Sequence, residues 1–209
     1  MLAKLLAVAF SFSCLAFILQ FLLLLRRPTT GSVAKARGNV WQGRIYAFTL
    51  ALAPGAKEST RNHPWNFLRG ILFHLGIAVS FLLVFVHAVG RPIPQEASQG
   101  LFVFLICTSL AGLAGLIMRI VNPYLRQLSG FDDFAALILV ILFQTATAAA
   151  LLVPQFVPWW YLATSVLLFY LPFSKIRHFP FWFAARYYYG TNIGQRGIMM
   201  ALKRRSDFL

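Results

Sequence analysis

Five long apolar runs divide this 209-residue chain, and each is about as long as a helix must be to cross the hydrocarbon core of a bilayer. We place the predicted spans at about 5–25, 67–89, 100–120, 132–153 and 158–178. Only 11% of the residues are charged, whereas a soluble domain has about 25%. A water-soluble fold is therefore excluded, because the chain lacks the polar side chains to cover its surface. The sequence predicts an all-α integral membrane bundle of five transmembrane helices, forming a single membrane domain over 1–209.

The first apolar run has some features of a secretory signal peptide, because Lys4 precedes it and small residues lie within it. Its apolar part is too long for the hydrophobic region of a signal peptide, however, and Arg26 and Arg27 follow it directly. We therefore expect a retained helix.

The basic residues are distributed unevenly between the two ends of the predicted spans. Of the 19 Lys and Arg residues, 17 lie in the segments 26–69, 119–126 and 175–209, and only Lys4 and Arg91 lie elsewhere. Cytoplasmic segments are enriched in Lys and Arg, so this predicts an N-terminus outside and a cytoplasmic C-terminus, as five spans require. Topology also accounts for the net charge of +14, and we expect no nucleic-acid partner.

Two of the predicted cytoplasmic segments combine basic and aromatic residues. The loop 26–66 contains Trp41 and Trp65, and the tail 179–209 contains Trp182 and three consecutive tyrosines. Aromatic and basic residues together are typical of segments at the level of the lipid headgroups. We expect these segments either to lie on the membrane surface or to form a docking face for a cytoplasmic partner.

The polar residues of the chain exclude several kinds of site. The two cysteines, Cys14 and Cys107, lie inside apolar runs and are too few for a disulfide framework or a thiolate metal cluster. Asp132 and Asp133 are the only adjacent acids, and they stand where the cap of the fourth span belongs. No catalytic arrangement is visible, so we expect a subunit of a larger complex and no complete enzyme.

Two histidines are predicted at similar depth on antiparallel helices, His74 in the second span and His178 at the end of the fifth. Histidine is a common axial ligand of haem iron, and helix bundles build cofactor sites from facing helices. Arg69, Lys175 and Arg177 lie within a turn or two, where they could pair with haem propionates. The alternative is that His178 is an interfacial histidine and His74 a buried histidine bonded to a neighbouring carbonyl.

The other two histidines, His87 and His63, are weaker candidates for a cofactor site. His87 lies 13 residues after His74, and the facing half of the fifth span contains no histidine or methionine to complete a second haem site. An interfacial or proton-handling role is favoured there. His63 precedes Pro64, which is expected at the start of a helix, so His63 is expected outside the span.

Three runs of residues resemble motifs of one known family. The run Phe-His-Leu-Gly-Ile at 73–77 is similar to the second-helix haem motif of the respiratory nitrate reductase gamma subunit, a cytochrome b. The run Leu-Pro-Phe-Ser-Lys-Ile-Arg-His at 171–178 resembles that family's fifth-helix motif. The run Arg-Ile-Val-Asn-Pro at 119–123, with Arg126 and the acids that open the fourth span, is similar to its third loop.

This resemblance implies a membrane subunit that takes electrons from quinol and passes them to iron–sulfur subunits on the cytoplasmic side. The family binds two haems between the second and fifth helices. His74 and His178 match the ligands of the cytoplasm-facing haem, whereas the ligand positions of the outer haem fall near Val84 and Trp160. The family's pattern therefore implies one haem b in this chain, and two only if His87 or His63 is also a ligand.

A further stretch resembles one branch of this family. The run Ala-Pro-Gly-Ala-Lys-Glu at 53–58, followed by Asn-His-Pro-Trp at 62–65, is similar to gamma-like subunits of sulfate-reducer and heterodisulfide-reductase-type complexes, such as the high-molecular-weight cytochrome c complex. The branch implies a bacterial or archaeal cytoplasmic membrane and a cytoplasmic iron–sulfur partner of the heterodisulfide reductase type. The expected relay connects this partner with either the menaquinone pool or a membrane partner subunit. Some complexes of the branch also include a polytopic quinone-interacting subunit and a periplasmic multihaem cytochrome c. The rival hypothesis is a non-redox membrane anchor for a cytoplasmic partner.

Overall fold

A computed structural model describes residues 1–26, 35–53 and 58–198, and all regular structure in these ranges is helical. Residues 27–34, 54–57 and 199–209 lie outside the described ranges. Parts of the predicted basic loop 26–66 and of the tail 179–209, and most of the 53–58 run that carries the branch resemblance, therefore lie outside the described residues.

The described chain forms nine α-helices. They are α1 (Leu2–Leu25), α2 (Val40–Phe48), α3 (Glu58–Asn62), α4 (Pro64–Ala88), α5 (Gln95–Val121), α6 (Pro123–Gln127), α7 (Phe131–Leu152), α8 (Val157–Tyr170) and α9 (His178–Gln195). Short 3₁₀ turns follow α2, precede α8 and precede α9. The start of α4 at Pro64 confirms the expected helix start, since proline fits the first helical position.

Four helices, α1, α4, α5 and α7, are long and apolar enough to cross a membrane. The fifth apolar run is interrupted: α8 ends at Tyr170, and Pro172 lies in the turn that follows. Proline lacks the amide hydrogen that would continue the helical hydrogen bonding. By length and composition, the described residues contain four helices that could cross a membrane, or five spans if α8 and the segment through α9 are counted together as one broken span.

The chain divides into two compact units. The first unit comprises residues 1–17 and 65–177, and the second comprises 18–64 and the residues from 178 on. In the first unit, α5 packs against α7, and α7 packs against α8. Its core contains fully buried Phe143, Leu105 and Leu167.

Gln144 on α7 joins three helices of the first unit through its buried side-chain amide. Its Nε2 donates to the carbonyl of Phe73 on α4 at 3.0 Å, and the hydroxyls of Thr108 and Ser109 on α5 each lie 3.2 Å from its Oε1. Gly76 allows this approach, because a Cβ there would lie 2.1 Å from Oγ1 of Thr108. These hydrogen bonds therefore depend on a close contact between α4 and α5 that leaves no room for a side chain at position 76.

The second unit is held together by glycine contacts between α2 and α9. A Cβ on Gly43 would lie 2.2 Å from the carbonyl oxygen of Gly190 and 2.4 Å from the amide nitrogen of Gly194. Arg44 adds a hydrogen bond from Nε to the hydroxyl of Thr191 at 3.0 Å, and its guanidinium lies 3.9 Å from the ring centre of Tyr187. The two backbones are therefore in direct contact, with polar bonds along one side.

We expect the Gln144→Leu variant to lose about 1–3 kcal/mol of stability, because three hydrogen bonds disappear from a fully buried site. Thermal unfolding of the purified protein in detergent measures the loss. Thr145→Val is the matched control, since the Thr145 hydroxyl bonds only carbonyls of its own helix, and we expect a change below about 0.5 kcal/mol. Equal stability of the Gln144 variant and the wild type would contradict the role of the amide.

We expect the Gly43→Ala variant to be less stable by about 1–3 kcal/mol, because its methyl group would overlap the backbone of α9. Gly100→Ala is the control: a Cβ at Gly100 meets nothing within 4 Å, and alanine favours the helix by up to about 1 kcal/mol. Limited proteolysis at the second unit, together with thermal unfolding, compares the two. We expect the change in stability to have opposite signs in the two variants. Equal destabilisation of both would overturn the explanation that the methyl group at position 43 overlaps α9.

Candidate functional site

His74 lies on a face of α4 that no other helix of its unit covers. Its Nδ1 is 2.7 Å from the carbonyl oxygen of Gly70, and its side chain is exposed. A groove of about 480 Å³ follows this face, within the usual size range of ligand sites. The groove is lined by Asn66, Phe67, Gly70, Ile71, His74 and Leu75.

The hydrogen bond to Gly70 indicates which nitrogen of the His74 ring carries a proton. A carbonyl oxygen only accepts, so Nδ1 is protonated, and in the neutral ring the lone pair is at Nε2. This arrangement is usual for metal-binding histidines, whose second nitrogen donates to a carbonyl or carboxylate. The bond also agrees with the alternative interpretation, in which His74 is bonded to a neighbouring carbonyl. That interpretation expected a buried histidine, however, whereas the His74 side chain is exposed.

His178 is the first residue of α9 and is exposed. It belongs to the second unit, whereas His74 belongs to the first. The binding of one iron by both histidines therefore stays a prediction. Among the described residues, no three His, Cys, Asp or Glu side chains are grouped as ligands of a metal ion.

Arg69 turns toward α5 and away from the open face of α4. Its Nη1 lies 3.5 Å from the carbonyl oxygen of Ala111, and a Cβ on Gly115 would lie 2.0 Å from the same nitrogen. Its Nε is buried without a hydrogen-bond acceptor among the described residues. A buried donor of this kind would be satisfied by an anion such as a carboxylate.

Lys175 and Arg177 lie in the 3₁₀ turn that precedes α9. The ammonium of Lys175 is 2.5 Å from Oδ2 of Asp133 on α7, and Arg119 on α5 lies 3.9 Å from the other oxygen of Asp133. Arg177 is exposed in the same turn. Lys175 would have to leave Asp133 to pair with a propionate, whereas Arg177 is exposed beside His178.

The two acids at the start of α7 do more than the predicted capping. Asp133 does accept a hydrogen bond from the amide of Gly130 at 2.9 Å, as a cap does. Asp132, in contrast, accepts from the backbone amide of Lys175 at 2.7 Å and from the hydroxyl of Tyr170. The pair therefore fixes the end of α8 and the turn before His178 onto α7.

His87 lies one residue before the end of α4, and its Nδ1 is hydrogen-bonded to the hydroxyl of Tyr161 on α8 at 2.7 Å. Its ring also packs edge-on against Trp160, with the ring centres 5.2 Å apart. The His87–Tyr161 pair lines a cavity of about 380 Å³ between α1, α4 and α8. His63 lies exposed between α3 and α4, outside the long helix, as expected.

The positions that correspond to outer haem ligands in the resembled family are part of the core in this chain. Val84 and Trp160 are 8% and 2% exposed, in one cluster with Leu83 and Leu168. Bulky apolar side chains therefore occupy the region where a second haem would be placed by that family's pattern. The number of haems stays a prediction.

Sequence reasoning missed three polar residues of this unit: Gln144, Tyr161 and Tyr170. Gln144 is a lone amide in an apolar run, and polar residues inside predicted spans usually have a partner or a function. That signal could have found it. The tyrosines carried no signal, because Tyr161 is 74 residues from His87 and Tyr170 is 38 residues from Asp132.

We expect the Asp132→Ala variant to exchange amide hydrogens faster at residues 171–177, by about tenfold or more, because a hydrogen bond to a charged group contributes about 1.5–3 kcal/mol. Hydrogen exchange followed by mass spectrometry measures this in the detergent-solubilised protein. Glu96→Ala is the control, since Glu96 is exposed in the first turn of α5. Unchanged exchange at 171–177 would show that Asp132 does not hold this turn.

No family model, curated protein or solved structure matches the chain significantly. The resemblance to the nitrate reductase gamma subunit family therefore stays a prediction.

Proposed function

We propose that this chain is the haem b membrane subunit of a respiratory redox complex. It relays electrons between the membrane, through the menaquinone pool or a membrane partner subunit, and a cytoplasmic iron–sulfur subunit. The observation that carries the proposal is the state of His74: its Nδ1 donates to the carbonyl of Gly70, and its face of α4 borders an open groove.

In this proposal His74 and His178 would hold the haem iron. A nitrogen that binds iron must present a lone pair, and the hydrogen bond at Nδ1 leaves the lone pair of the neutral His74 ring at Nε2. The bond also limits rotation of the ring, since the acceptor is fixed one helical turn away. A haem held here would supply a one-electron carrier, and the apolar residues of the groove would tune its potential by excluding water.

Three cationic side chains are proposed as propionate partners, namely Arg69, Lys175 and Arg177. The exposed position of Arg177 supports this role, whereas Arg69 would have to turn away from its contacts with α5 to reach a haem beside His74. Lys175 has a different role while it is bound to Asp133: it holds the turn before His178. We propose that this link to α7 positions His178.

The orientation and partners extend the same proposal. Five spans with the N-terminus outside would place the basic segments 26–66 and 179–209 in the cytoplasm of a bacterium or archaeon, as the positive-inside rule suggests. A cytoplasmic iron–sulfur subunit of the heterodisulfide reductase type would dock there. A polytopic quinone-interacting subunit and a periplasmic multihaem cytochrome c would complete the complex.

A dithionite-reduced minus oxidised spectrum of the purified protein, with a pyridine haemochrome assay, tests the proposal. We expect one haem b per chain, because His74 and His178 match one pair of ligands in the pattern of the resembled family. His74→Ala and His178→Ala should each abolish the haem absorbance. His87→Ala is the matched control and should retain it, since the His87 ring is bonded to Tyr161.

Each other result points to a different conclusion. A colourless protein would favour the alternative of a non-redox membrane anchor, in which both histidines are dispensable. Two haems per chain would mean that His87 or His63 is also a ligand. Loss of absorbance in His87→Ala but not in His178→Ala would show that the assigned pair is wrong.

A further inference from the structure

One face of α2 is apolar, aromatic and exposed. Trp41, Ile45 and Phe48 recur at helical spacing on one side of α2, and they are 65%, 49% and 36% exposed. The opposite side carries Gly43 and Ala47, which are buried against α9. The contact with α9 therefore leaves this stripe, which we call the α2 stripe, uncovered within its unit.

The aromatic surface continues from α2 onto α9. The ring of Phe48 lies 5.9 Å from that of Trp182, which lies 5.0 Å from that of Phe183. Phe183 in turn packs 6.1 Å from Phe179, and these two phenylalanines are 53% and 68% exposed. A contiguous exposed aromatic surface of this kind marks an interaction site, because its exposure to water is unfavourable in free energy.

The described residues of the second unit carry an excess of positive charge, with Arg44 on α2 and Arg186 on α9. The described residues of the second unit include one acid, Glu58, and seven bases. The bases are Arg26, Lys35, Arg37, Arg44, Arg61, Arg186 and Arg196. Arg186 lies 5.5 Å from the ring centre of Trp182, so basic and aromatic groups are interleaved. The surface is therefore complementary to an anionic one.

The segment that contains α2 is connected at both ends to a helix that is long and apolar enough to cross a bilayer. The segment that contains α2 follows the membrane-length helix α1, which ends at Leu25, and precedes the membrane-length helix α4, which begins at Pro64. A tethered helix with one apolar face and flanking arginines has the properties of an interfacial helix. Arginine stems can lie along apolar surface while their charged ends reach lipid phosphates.

We propose that the α2–α9 pair lies in the headgroup layer of one leaflet, with the α2 stripe inserted among the acyl chains and the basic side chains bound to anionic phospholipid headgroups. The occupant of the α2 stripe is lipid and no protein partner. This proposal does not depend on haem, so a colourless protein would leave it intact.

The full-length protein in phosphatidylglycerol nanodiscs tests the insertion. Trp41 emission is obtained as the difference between wild type and Trp41→Phe, with lipids brominated near the headgroup as one quencher and acrylamide as the other. We expect the brominated lipids to quench about half or more of the Trp41 emission and acrylamide to quench little of it. Trp160→Phe gives the control, because Trp160 is 2% exposed in the core and neither quencher should reach it.

The contribution of charge is tested by replacing phosphatidylglycerol with phosphatidylcholine. Bromolipid quenching of Trp41 should fall in the neutral lipid, and the Lys35→Gln, Arg37→Gln double variant should lower it in the anionic lipid. Equal quenching in both lipids would overturn the role of anionic headgroups. Strong acrylamide quenching with weak bromolipid quenching would overturn the proposal and leave the α2 stripe available to a protein partner.

Discussion

An amide inside an apolar helix bundle must find its hydrogen-bond partners within the protein, because lipid offers none. Gln144 meets this requirement with a carbonyl on α4 and two hydroxyls on α5. Apolar contacts between helices are little better than contacts with lipid, so they specify a register weakly. The hydrogen bonds of the amide are directional, so they specify the register more strongly. Gly76 has no side chain and lets α4 and α5 come close enough for these bonds to form. The packing of α4, on which His74 stands, therefore depends on a residue of α7.

Much of the fold could be predicted because the bilayer imposes a length on apolar helices. The runs at 67–89, 100–120 and 132–153 each correspond to one helix, and the observed helix ends differ from the predicted ends by one to five residues. The fifth run, 158–178, was harder, because hydropathy does not show where a helix breaks. Pro172 was the signal, yet only the structure shows that α8 stops at Tyr170 and that His178 starts a separate helix.

Only those features of the candidate site that involve residues close together in the sequence could be predicted. The histidines and nearby cations stand out in an apolar chain, and helical spacing places His74 within a turn of Gly70. The roles of Asp132 and Lys175 could not be found in this way, since their contact joins positions 43 residues apart. Local patterns predicted a cap for Asp133, which the structure has. They gave no sign that the same carboxylate also holds Lys175.

The partner of the His74 ring is a main-chain carbonyl, and this affects how the position tolerates mutation. In many metal sites a side-chain carboxylate orients the histidine, and a single codon change removes it. A carbonyl within a helix is present whatever residue occupies position 70, so no single side-chain replacement deletes the acceptor. Only a break in α4 would do so. The tautomer of His74 is thus a property of the helix itself, and the surrounding sequence can vary while the imidazole keeps its proton on the same nitrogen.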